Sequence, residues 1–152
     1  MTIKPDLGVI GIGSHHGPDA TGWLACEMLQ SQTTLTRVDW LLCRTPTRLP
    51  ELVVDYNAVV ILDAVLSDEP AGQVLTLIWP VPQETYHPPC SSHGLGVIEA
   101  LQLASALGQL PTSTYILGIS INEQQQDASP VVKIALPQLQ QELEQIQKTL
   151  AS

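Results

Sequence analysis

Leu7-Gly8-Val9-Ile10-Gly11-Ile12, running directly into Gly13-Ser14-His15-His16-Gly17-Pro18-Asp19, is the stretch that decides the fold. Residues 7–12 are apolar or glycine on consecutive positions rather than alternating, the pattern of a strand covered on both faces. Similar short runs recur at Val38 to Leu42, Ala58 to Leu62, Val74 to Trp79 and Tyr115 to Ile119, several of them rich in β-branched residues. Helical segments lie between them: Ala20 to Gln30, about Pro46 to Tyr56, and Ser92 to Leu107, the last closed by Gly108 with Pro111 beyond. A final helix is expected from Pro137 as its first helical position, because Leu139, Leu143, Ile146 and Leu150 follow at helical spacing. This order predicts an α/β fold, a three-layer α/β/α arrangement around a twisted, mainly parallel five-stranded sheet. Val65 to Gln73 is too short for a helical crossover, so one strand is expected to run antiparallel at an edge. No repeat, linker or second domain is visible, and residues 1–152 read as a single domain.

The chain has 152 residues, with 15 acids against 6 bases and a formal net charge of -9. Lys4, Arg37, Arg44, Arg48, Lys133 and Lys148 are its bases, and they form no run able to neutralise phosphates. Nucleic acid and anionic membranes are therefore excluded as expected partners. Pro5 and Asp6 stand where a signal peptide would begin its apolar core, and no apolar run approaches the roughly 20 residues of a membrane span. Cys26, Cys43 and Cys90 fall in no C-x-x-C pattern, which suits free thiols in a reducing compartment. The expected location is the cytoplasm.

In open α/β sheets ligands sit outside the carboxyl ends of the strands. The residues just past those ends are Gly11 to Asp19, Asp63-Ala64, and Tyr86-His87-Pro88-Pro89-Cys90-Ser91-Ser92-His93, so one crevice would collect Asp19, Asp63 and His93. The glycines read G-x-G-x-x-x-G rather than G-x-G-x-x-G, and Asp19 at a helix start would repel a pyrophosphate, which argues against a dinucleotide. Asp19 reads either as a helix N-cap or as a site carboxylate. Asp63 follows a run expected to be buried, where an ionised carboxylate is paired, hydrogen-bonded to the next loop or metal-bound. His93, near a helix start, is held neutral by the helix dipole, as a metal requires, or else packs at the loop. His15, His16 and His87 read as loop residues lining a mouth. Cys90-x-x-His93 reads as a thiol with its base, a ligand pair or a structural loop, and Ser91 and Ser92 lack the G-x-S-x-G elbow of a serine hydrolase. Two carboxylates and an imidazole suit a divalent transition metal with open positions, the remaining ligands coming from a substrate that brings its own metal.

Four stretches resemble the endopeptidase family that matures [NiFe]-hydrogenases. Gly11 to Trp23 is similar to its opening glycine motif, Val60-Ile61-Leu62-Asp63-Ala64 to its second aspartate motif, and Ser91-Ser92-His93-Gly94-Leu95 with Leu101 to Gly108 to its histidine motif. Tyr115-Ile116-Leu117-Gly118-Ile119, with Ser129-Pro130 before a last helix, resembles its ending. The family's acidic pair is here Pro18-Asp19, and Asp19, by its spacing to Gly22, matches the metal-contacting acid. Arg44-Thr45-Pro46 resembles members serving bidirectional hydrogenases. The resemblance implies a twisted five-stranded sheet between helical layers and an aspartic-type endopeptidase. It would remove the C-terminal extension of a hydrogenase large-subunit precursor once nickel is in place. Asp19, Asp63 and His93 would contact nickel carried by that precursor rather than stably bound to the free protein, which is expected to be monomeric. Two other readings stand beside this one: a non-catalytic chaperone or metal-sensing module for the nickel-loaded precursor, and a small-ligand protein binding an anion at the glycine-rich turn.

Overall fold

The computed structural model describes residues 6–81 and 95–151. Five strands form one sheet in the order β2-β1-β3-β5-β4, with β1 at Leu7–Ile12, β2 at Val38–Cys43, β3 at Ala58–Leu66, β4 at Val74–Ile78 and β5 at Ser113–Ile121. β1 pairs in parallel with β2 and β3, and β3 in parallel with β5. β4 lies antiparallel to β5 at the edge, as the short 65–73 connection requires.

Four helices cover the sheet: α1 at Thr21–Gln32, α2 at Leu49–Val53, α3 at Leu95–Ala106 and α4 at Ala128–Ala151. Strand alternation divides the core between the two faces. Leu7 and Val9 of β1 and Val60, Leu62 and Ala64 of β3 pack with Ala25, Cys26 and Leu29 of α1 and with Val131, Ala135, Leu139 and Leu143 of α4. Ile10, Ile12, Val59 and Ile61 point the other way, onto Leu49 and Val53 of α2 and Val97, Ala100, Leu101 and Ala104 of α3. All of β1 is buried, as its unbroken apolar run predicts. None of the helices in the described residues is long and apolar enough to cross a membrane.

The chain steps from β1 to β2 on one side and then crosses back to β3 on the other, so the winding reverses between β1 and β3. That reversal leaves a crevice outside the carboxyl ends of these two strands. The position that a Cβ on Gly96 would take is 3.4 Å from Cγ of Pro46, which follows the end of β2, so α3 begins at this same carboxyl edge.

Two expectations are corrected. β3 does not end before Asp63 but continues to Leu66, because β5 supplies partners through Leu66↔Ile121 after β1 has ended. α4 starts at Ala128 rather than at Pro137, which lies inside it. The buried stripe of Val131, Val132, Ala135, Leu139, Leu143 and Ile146 runs past the proline without a break, and the proline of the first turn is Pro130. Pro137 faces solvent, where its ring displaces no packed neighbour and only a helix hydrogen bond is lost. Pro137→Ala is therefore expected to stabilise the fold by about 2 kcal/mol, raising Tm by about 4–8 °C in a thermal melt.

Candidate active site

The glycines around the first loop bring helix and sheet together. A Cβ on Gly22, in the first turn of α1, would meet the carbonyl oxygen of Ile12 and come within 2.6 Å of that of Leu62. Helix α1 therefore rests on the backbone of both strands that flank the crevice, and Leu62 is the residue before Asp63. A Cβ on Gly13 would strike the carbonyl oxygen of Asp19, which accepts a hydrogen bond from the Ser14 amide at 3.1 Å. The glycine pattern thus folds the 13–19 loop tightly over the end of β1.

Asp19 lies, partly buried, in a 3-10 turn, Gly17–Ala20, that leads into α1. It is not an N-cap: His16 precedes the turn, Ala20 precedes α1, and neither end is capped by a side-chain hydrogen bond. Pro18 occupies the opening of this turn, where its fixed φ is already suited and its missing N–H is not needed.

Asp63 is 1% exposed, and its Oδ1 accepts a hydrogen bond from the Ala64 amide at 2.9 Å. Its Oδ2 is equally sealed from solvent. The last β1–β3 pair is Gly11↔Leu62, so Asp63 stands one residue beyond it, where β3 is paired with β5 alone. By alternation with Val59 and Ile61 its side chain belongs to the α2/α3 face, and its register neighbour on β5 is Gly118, which has no side chain. The structure thus puts Asp63 and the turn carrying Asp19 at the same carboxyl edge. His93 lies outside the described residues, as do His87, Cys90, Ser91 and Ser92; the described chain resumes at Leu95, at the same edge. Among the described residues no group of three or more His, Cys, Asp or Glu is placed to hold a metal ion.

A feature not foreseen from sequence sits beside the 13–19 loop. The Trp23 indole N–H donates to the Cys43 carbonyl at 3.1 Å, and the same oxygen accepts from the Gly13 amide at 3.0 Å. His15 meets the Trp23 ring edge-on, with centroids 4.7 Å apart, and the Arg44 guanidinium lies 5.7 Å from that ring's centroid. Next to this corner, a cleft of about 560 Å³ opens between the 3-10 turn and the start of α4, lined by His15, Gly17, Ala20, Leu24, Ser129 and Lys133 among others.

The two described cysteines are buried and free, and neither is placed as a nucleophile. Burial pushes the Cys26 thiol up to about 11, and burial raises that of Cys43 as well. A thiol so raised is not a thiolate at neutral pH. Both should resist iodoacetamide at pH 8 in the folded protein and react once it is denatured, as peptide mass mapping would read. Labelling of either in the native state would contradict this burial.

A sequence model of the family described as hydrogenase maturation protease matches residues 45–146. The chain belongs to the hydrogenase maturation protease family. The matched span includes Asp63 and His93 and begins after Asp19, so Asp19 rests on the local motif and on its placement. The fold is shared with solved structures of maturation proteases at low identity. The hydrogenase maturating endopeptidase HybD from E. coli matches with a TM-score of 0.69 at 17% identity, over 91% of this chain and 92% of that one. The [NiFe] hydrogenase maturation protease HybD from Thermococcus kodakarensis gives 0.67 at 22%, over 92% and 97%. HycI from Thermococcus kodakarensis KOD1 gives 0.68 at 21%, over 95% and 94%. Among curated proteins, no match was found.

Proposed function

We propose that this maturation protease is an aspartic-type endopeptidase that removes the C-terminal extension of a [NiFe]-hydrogenase large-subunit precursor after nickel insertion, recognising the bound nickel through Asp19, Asp63 and His93. The observation that carries the reading is a carboxylate, Asp63, held in the sheet at the winding reversal, beside the turn that bears a second carboxylate. A buried carboxylate beyond the end of β1 is costly for a fold to keep, and a ligand that brings positive charge offsets that cost.

Nickel belongs to the substrate in this reading. When bound, it supplies Lewis-acid polarisation of a nearby carbonyl. The protein supplies two oxygen donors and, by the sequence motif, one imidazole, a set suited to a borderline divalent ion but short of a closed site. The free protein therefore holds nickel weakly or not at all, and affinity appears when the precursor contributes its own ligands. Asp63, fixed by the Ala64 amide, presents its carboxylate in one orientation. A carboxylate at this edge also provides a base for the attacking water. The protein acts in the cytoplasm as a monomer, with the precursor as its partner and neither nucleic acid nor membrane.

Incubating the purified protein with the host's nickel-loaded precursor and weighing both intact tests this reading. Loss of a defined C-terminal segment is the expected result. A stable complex with no loss of mass would overturn it in favour of a chaperone that holds the loaded precursor.

A further inference from the structure

Arg44 is the residue immediately after β2, one position from the Cys43 carbonyl that fixes both Gly13 and Trp23. Its support is rigid: Trp23 is 7% exposed and tied by its indole N–H, and His15 abuts the same ring. The side chain of Arg44 itself is exposed.

Acids outnumber bases 15 to 6 in this chain, so an arginine readily finds a carboxylate. The other two arginines have done so: Arg37 lies 3.8 Å from Asp6, and Arg48 donates to Glu51 at 2.9 Å. Arg44 has no carboxylate partner among the described residues, and it is held instead by the face of an aromatic ring. Contact with a ring fixes a guanidinium without neutralising it. The result, among the described residues, is a positioned cation without a carboxylate partner at the carboxyl end of β2, the strand next to β1, in a molecule with 15 acids to 6 bases.

We propose that Arg44 anchors a carboxylate of the polypeptide substrate, either an acidic side chain or the free C-terminus, and so sets which segment lies across the crevice. The proposal rests on the endopeptidase reading for the identity of the substrate. The planar fork of a guanidinium suits a carboxylate bidentately, and a lysine would meet it as a point charge. Arg44 is a binding residue here and takes no part in the chemistry.

The test compares wild type with Arg44→Gln and Arg44→Lys. Affinity is measured with the nickel-free precursor, which is not cut, and KM and kcat with the nickel-loaded one. Arg44→Gln is expected to weaken binding about tenfold and to raise KM by a similar factor at unchanged kcat. Arg44→Lys should fall between, and raising salt from about 50 to 200 mM should narrow the gap. Replacing the acidic side chains of the precursor's extension by amides then separates the sources: a lost dependence on Arg44 assigns those side chains, and a retained one assigns the terminal carboxylate. Equal affinity of wild type and Arg44→Gln, including the case in which neither binds, overturns the proposal. Failure of the endopeptidase reading looks different, since the precursor then stays uncut while the affinity difference persists.

Discussion

Asp63→Asn is expected to slow processing of the nickel-loaded precursor by about 10³-fold or more while leaving Tm within a few degrees of wild type. Asparagine has the shape of aspartate and keeps an oxygen to accept the Ala64 amide, so the local hydrogen bond survives. What it loses is the charge, and with it both a metal-binding oxygen and a base. Removing a charge from a site that is 1% exposed carries little folding penalty. Asp63→Ala is a poorer probe, because it orphans the Ala64 amide in the interior at a cost of about 1–3 kcal/mol. Processing of the precursor at the normal rate by Asp63→Asn would remove this residue from the mechanism.

Gly22→Ala should be strongly destabilising, because this glycine lets α1 approach two strands at once. The new Cβ would land on the carbonyl oxygen of Ile12, the last residue of β1, and within 2.6 Å of that of Leu62 in β3, both backbone atoms of sheet-paired residues. Helix α1 must move off the sheet, at a cost of about 3 kcal/mol, which lowers Tm by about 10 °C. The displacement also shifts the turn bearing Asp19, so processing measured well below the melting range should fall further than the folded fraction explains. An unchanged melt would show that α1 does not seat on the strands through this glycine.

Consecutive apolar positions in β1 and the short 65–73 connection were enough to give a mainly parallel sheet with an antiparallel edge strand. The end of β3 was not legible, since Asp63 interrupts an apolar run and only pairing with β5 carries the strand on to Leu66. The start of α4 was hidden for a similar reason: Pro137 has the look of a first helical position, and its exposure inside a continuous helix depends on which face packs. Asp19 carries the signature of a cap, but the preceding Pro18 opens a 3-10 turn and moves the helix start past it. The placement of Asp63 at the winding reversal follows from strand order, which local pattern does not contain. The corner of His15, Trp23 and Arg44 was least accessible of all, because it joins a loop, a helix and a strand end through contacts that no spacing announces.

A metal-gated cut is measured most directly by the intact mass of the precursor. Nickel-loaded and nickel-free precursor are incubated side by side with the purified protein, and each is weighed before and after. The expected result is a single C-terminal loss from the loaded precursor and an unchanged mass for the nickel-free one. Equal cleavage of both would contradict nickel recognition, and cleavage of neither would contradict the endopeptidase itself.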